Sequence, residues 1–372
     1  MKKMRIFCFS LISIVALCSF TGCGNKNSNE ETEGPDEAQV QQATQDSDAD
    51  ESAETASDDA IRSYLTGKVT DPAIARRRPV AIMLNNLEAA QPMSGISRAD
   101  VVYECVVEGS ITRLMGIFEN YDDLEKIGSV RSCRSYFVYC ALEFDAIYAH
   151  YGQAAYAVEL LDQDYVDNLS GLSEIGSTVF YRTSDRPAPH NAYASVEGIQ
   201  AGIKKMGYDE NYRSTYTGKF LFAEDGKENK NEDGTSATYV APGYLINKPW
   251  FEYNADDKKY YRFQYEEPQI DEMTNEQISY DNIVLQYCEW VKLDENDYLA
   301  FNCHSGGKMK FITEGKVVDG FWIRTVEDEN SGNHDEGVTK YYNNDGEEMV
   351  FNQGKTWICM IQDTMEDKVV IK

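Results

Sequence analysis

The sequence predicts an α+β fold: an N-terminal α/β domain with a mixed sheet, followed by a smaller, mostly antiparallel β-rich domain. Three observations carry this. Apolar runs such as VAIMLNN (80–86) and VVYECVV (101–107) read as buried strands, and they alternate with runs at helical spacing as far as residue 218. From 241 onward the pattern is β, with short strands separated by turn residues. Between them, residues 219–240 are polar and rich in Asn, Asp, Glu, Lys and Gly, which reads as a hinge or long loop.

The chain opens with MKKMRIFCFSLISIVALCSFTGCG, a basic start followed by an apolar run. The run is shorter than the roughly 20 apolar residues a spanning helix needs. It resembles a bacterial lipoprotein signal in which FTGC is the cleavage box. That resemblance implies a signal peptide over 1–22 and a lipid, palmitate among its acyl chains, on Cys23. Burial of the acyl chains would hold the protein on the outer face of the cell membrane. Residues 23–60 carry a dozen acids and one lysine, with almost no large apolar side chain. Such a segment cannot bury enough surface to offset chain entropy, so it reads as a disordered acidic tether.

The 61–218 region begins with a charged lead-in ending ARRRP. After strand 80–86 comes a hairpin, 101–109 and 110–120, with Gly109-Ser110 as its two-residue turn. That turn pairs Glu108 with Ile111 and Val106 with Arg113. One face then gathers Glu104, Glu108 and Arg113 among apolar residues, as a paired charge cluster or as one wall of a polar pocket. In IGSVRSCRSYFVYC (127–140), Val130, Cys133, Phe137 and Cys140 recur at helical spacing, which places Arg131 and Arg134 in the first turn. Positive side chains oppose the helix dipole there and call for an anionic partner. DAIYAHYG (145–152) reads as a strand carrying His150. The loop YRTSDRPAPHNAYAS (181–195) brings His190 and Asn191.

The net charge of −28 excludes a general nucleic-acid surface, because the phosphate term would be repulsive. Six cysteines follow Cys23, at wide spacing and in apolar settings with no C-x-x-C pair, which favours free buried thiols over a disulfide framework. The four histidines share no metal-ligand spacing, and neither a metal nor a cofactor is expected. NQGKTW fails the phosphate-loop pattern at Met349. Cys303 and His304 point to opposite faces of a strand and make a poor nucleophile–base pair.

RRPVAIMLNN, QPMSGISRADVVYECVVEGSITRLMGIFE, IGSVRSCRSYF, FDAIYAHYGQ and RPAPHNAY together resemble the YerB-type lipoprotein family. NIVLQ, GKVVDGFWIR and NNDGEEMVFNQGKTWICMI resemble its C-terminal domain. The resemblance covers residues 70–372 and implies a two-domain exported lipoprotein, without supplying a reaction. It departs at Asn85, where an acid is commoner, and at Cys133 and Cys303.

The expected function is therefore binding of a polar or anionic cell-envelope ligand, of the cell-wall polymer class. Asn86, Arg113, Arg131, Ser132, Arg134 and Asn191 are the expected ligand-binding residues. Glu104, Glu108, His150 and His190 are the candidates for any catalysis. Two other readings remain open: a hydrolase or lyase acting on the wall, and a scaffold for envelope proteins.

Overall fold

Strands β1 (Val80–Asn85), β2 (Val101–Val106) and β3 (Thr112–Phe118) are buried at every residue. Strands without a polar side must be covered on both faces, and this requirement organises the molecule. The computed structural model describes residues 61–325, 335 and 337–372. The signal segment, Cys23 and the tether expected over 1–60 lie outside the described residues.

The three strands form an antiparallel core, extended by β4 (Ile147–His150) parallel to β1 and β5 (Asn168–Ser170) parallel to β4. The other edge of β2 would expose a row of unpaired backbone groups. It is closed by a strand from near the chain's end. Numbering along this sheet continues with β6 (Thr235–Ser236), β7 (Asn282–Cys288), β8 (Gly306–Thr313), β9 (Lys316–Thr325), β10 (Val338–Asn343) and β11 (Thr356–Gln362). β11 runs parallel to both β2 and β7 and lies between them. The sheet order is β6-β9-β8-β7-β11-β2-β3-β1-β4-β5, with β10 on β9, so strands from both ends of the sequence share one mixed sheet.

One face of the core is covered by helix α1 (Ser135–Leu142), whose Tyr136 hydroxyl donates to the Val106 carbonyl at 2.8 Å. The other face is covered by an antiparallel sheet that includes Tyr239–Ala241, Trp250–Asn254 and Lys259–Gln264. From that side Phe251 and the neighbouring Tyr280 meet Trp357 of β11 edge-on, at 5.7 and 5.1 Å between centroids. Such pairs contribute about 0.5–1.5 kcal/mol beyond their buried area.

Residues 219–240 are laced to the body. Lys219 is ion-paired with Glu143, Leu221–Phe222 runs parallel to Val350–Phe351, and Thr235–Ser236 pairs with β9. The polar side chains that suggested a loop are used for this: Asn229 donates to the Val350 carbonyl at 2.7 Å, and Asn231 to the Lys316 carbonyl at 3.3 Å. All six cysteines of the described residues are buried and free.

The helix expected from Val130 begins later, at Ser135, with Arg134 as its N-cap residue. The preceding amides are already engaged. Val130 N–H donates to Ala192, Arg131 N–H to Met83 and Cys133 N–H to Gly152, so 130–133 is extended. Arg131 therefore stands on an extended segment beside β1 and not in a helical turn.

Candidate functional site

The hairpin turn decides which side chains meet. Its loop has three residues, Glu108–Ser110, closed by Val107 N–H donating to the Ile111 carbonyl at 2.8 Å. Gly109 and Ser110 both take positive φ, +67° and +60°. The register is therefore Cys105 opposite Arg113 and Val106 opposite Thr112. The two-residue turn expected from Gly109-Ser110 would have set Val106 against Arg113. A slip of one residue moves a side chain to the other face. Glu104 and Arg113, expected to be co-facial, project from opposite faces of the sheet.

Glu104 belongs to an enclosed network on the face covered by the second sheet. It is 0% exposed and ion-pairs with Arg262, also 0% exposed, at 2.8 Å. The same carboxylate accepts from Thr112 Oγ1 (2.9 Å), Asn247 Nδ2 (2.9 Å) and Asn86 Nδ2 (3.2 Å). Asn86 also donates to Thr112. Glu104 and Asn86 thus hold the two sheets together, closed off from solvent.

The opposite face carries the arginines. Arg113 is 4% exposed and donates to the Ser132 carbonyl at 2.7 Å. Arg134 occupies the N-cap position of α1, donates to the Cys133 carbonyl at 2.6 Å and forks onto both oxygens of Glu108. Arg131 is half-buried, and among the described residues its guanidinium donates to the Pro189 carbonyl alone, at 3.3 Å. Among the described residues, Glu108 is the single carboxylate within ion-pair distance of this trio, and it is spent on Arg134. Three guanidinium groups thus face one carboxylate in a chain whose net charge is −28. Burial, together with Arg134 and Arg131, pulls the Arg113 guanidinium down to about 10, so it stays charged at neutral pH.

His190 closes the rim. Asn85 Oδ1 accepts from Leu87 N–H at 3.1 Å, which fixes the amide orientation. Asn85 Nδ2 then donates to His190 Nδ1 at 2.8 Å and to Ser129 Oγ at 3.3 Å. His190 must accept at Nδ1 and carry its proton on Nε2. Partial burial, with Arg131 and Arg186 nearby, lowers its pKa and favours the neutral ring. Ser132 donates to the Tyr151 carbonyl at 3.3 Å. Asn191 bonds to Arg182 at 2.8 Å and to the Thr183 carbonyl, so it orients a further arginine.

His150 does not join them. It is fully enclosed, with Nδ1 on the Gly152 carbonyl at 2.8 Å and Nε2 near Asn168 Oδ1 at 3.3 Å. Burial lowers its pKa, and its bonds hold the β4–β5 junction. No group of three His, Cys, Asp or Glu among the described residues is arranged to hold a metal ion.

Two family profiles match the chain: the N-terminal domain of DUF3048, a protein family of unknown function, over residues 65–209, and its C-terminal domain over residues 240–358. The chain is 30% identical over 305 residues to a Bacillus subtilis (strain 168) protein named as a lipoprotein, YerB, covering 82% of this chain and 87% of that protein. The chain belongs to the YerB lipoprotein family. The crystal structure of YerB from Bacillus subtilis matches with a TM-score of 0.71 at 28% identity, over 84% of this chain and 99% of that one.

In this member of the YerB family the arginines, Ser132, Glu108 and His190 lie on one side of the sheet, and Glu104 and Asn86 on the other. Sequence reasoning missed Asn85 and Arg262. Asn85 was legible as the residue before Asn86 in a strand, hence on the opposite face. Arg262 was not, because its partner is 158 positions away.

Proposed function

We propose that this protein is a lipid-anchored envelope protein that binds a multiply charged anion in the recess formed by Arg113, Arg131 and Arg134. One observation carries the reading: Arg113 is almost fully buried with no carboxylate partner among the described residues, beside Arg131, which also lacks one. A buried cation is expensive unless an opposite charge meets it. A ligand phosphate or carboxylate would supply that charge, held by the planar forks of the guanidinium groups. The neutral His190 Nε2–H adds an uncharged donor at the rim. Anchoring through Cys23, on the outer face of the membrane, rests on the YerB relative named as a lipoprotein and on the FTGC segment. The recess does not favour a wall hydrolase or lyase: Glu104 is enclosed by Arg262, and Glu108 is forked onto Arg134.

The test is thermal unfolding with and without pyrophosphate or glycerol phosphate. Wild-type protein is expected to gain stability with either anion, less so at high salt. Arg113→Met should abolish the gain. The same variant should leave the ligand-free protein as stable as wild type, or up to about 4 kcal/mol more stable, because replacing an unsatisfied buried charge by an apolar chain is neutral or favourable. An Arg113→Met protein that still responds to both anions would refute the reading.

A further inference from the structure

Beside the recess, a fourth arginine is fixed at the surface with no counter-ion among the described residues. Arg182 is exposed, yet its guanidinium is set in place from two sides. Asn191 Oδ1 accepts from it at 2.8 Å, and the Tyr151 ring lies beneath it at 4.6 Å. Asn191 is itself held by the Thr183 carbonyl, so the positioning is built. Among the described residues no carboxylate pairs with Arg182.

Arg182 is coupled to the recess through the backbone. Tyr151 N–H donates to the Arg131 carbonyl at 3.0 Å. Val130 N–H donates to the Ala192 carbonyl at 2.7 Å, and Ala192 is the register partner of Arg182. The 130–131 segment and Arg182 are thus separated by one intervening strand, about 10 Å between backbones. That places two positive positions side by side, one recessed and one at the surface. Aromatic side chains accompany both. Arg134 lies 5.4 Å from the Tyr298 ring, and Tyr298 meets the exposed Tyr156 at 5.7 Å.

We infer that the anion-binding recess and Arg182 form a track for a linear polyanion, a polymer whose sugar or polyol repeats carry phosphate or carboxylate groups. The inference rests on the anion-binding reading and names its ligand class. One charged group enters the Arg113–Arg131–Arg134 recess while a neighbouring repeat meets Arg182, and the tyrosine rings pack against the uncharged parts of the repeats. A discrete anion can occupy only one position. A flat lipid surface cannot reach Arg113 or Arg134, which are 4% and 7% exposed.

The test compares glycerol phosphate, a glycerol-phosphate oligomer of about ten units, polygalacturonate and phosphatidylglycerol vesicles, on wild type and Arg182→Ala. Linking two charged groups on one chain should raise affinity per repeat unit by roughly tenfold over the monomer. Arg182→Ala should remove most of that gain and leave monomer binding unchanged. Arg182→Lys should restore part of it, since the charge remains but the planar stacking does not. Which polymer shows the gain, phosphate or uronate, identifies the charged group. Equal affinity for monomer and polymer per repeat, with Arg182→Ala inert, overturns the track and leaves the three-arginine site standing. Failure of every anion to bind overturns both readings. Binding to vesicles alone overturns the polymer assignment.

Discussion

Glu104 and Arg262 form an ion pair in which neither side chain has any exposure, and they join strands 158 positions apart. Removing one partner would strand a buried charge. Arg262→Met is expected to destabilise the protein by roughly 3–5 kcal/mol in urea unfolding, and Glu104→Gln/Arg262→Met to recover most of the loss. Additive effects of the two single changes would show that the pair is not coupled as the structure places it.

The hairpin shows how far the sequence could be read. The strands, their burial and the turn position were legible from apolar runs and from Gly109. What was not legible was one residue of turn length. A two-residue turn and a three-residue turn differ by a single position, yet that position carries Arg113 from the Glu104 side to the Arg134 side. The expected cluster was thereby divided into an enclosed half around Glu104 and a half that gathers the arginines. Similarly, the apolar spacing of Val130, Cys133 and Phe137 suggested a helix, but backbone partners from β1, Gly152 and Ala192 held 130–133 extended. These are tertiary partners, which no local pattern contains.

Asn85 sets the tautomer of His190, and that is measurable. Burial and the positive charges of Arg131 and Arg186 lower the ring's pKa, so His190 should titrate below the usual 6.5 in an NMR pH series. Its Nδ1 should report as the unprotonated nitrogen throughout the neutral range. Arg131→Ala should move the titration upward, and a bound anion should do the same. A His190 that titrates at or above 6.5 in the free wild type would contradict this geometry.

Asp100 and Glu119 make a contribution to stability that declines toward neutral pH. Burial raises Asp100 to about 6 and Glu119 to about 7, and one Glu119 oxygen has no protein partner. The folded protein therefore keeps these protons to higher pH than the unfolded chain. Their contribution is complete below about pH 4 and is lost as pH rises through 6 and then 7. Glu143 acts in the opposite sense and lower down. Burial raises its pKa, but Lys219, Arg324 and Thr339 outweigh that and hold it below the usual carboxylate range. His150 and His190, whose lowered pKa values act in the opposite sense, and Asp100 are common to both proteins, so between pH 5 and 8 the unfolding midpoint of wild type should fall relative to that of Glu119→Gln. A difference between the two proteins that does not change with pH would remove Glu119 as a contributor.

If an anion binds at the arginines as proposed, Glu108 is the competitor it meets. It forks onto Arg134 and is the one carboxylate at the arginine recess among the described residues. Neutralising it has two consequences of opposite sign. Without ligand, Glu108→Gln gives up a charge-assisted bond to a mostly buried guanidinium and should lose roughly 1–3 kcal/mol of stability. With ligand, the recess gains a full unit of net positive charge and a freed fork, so anion affinity should rise. Unfolding scans across a glycerol phosphate series should therefore cross: the variant melts below wild type without the anion and gains more at each concentration. Curves that stay parallel would mean that the anion does not bind near Glu108. That result would separate Arg134 from the ligand while leaving its ion pair with Glu108 untouched.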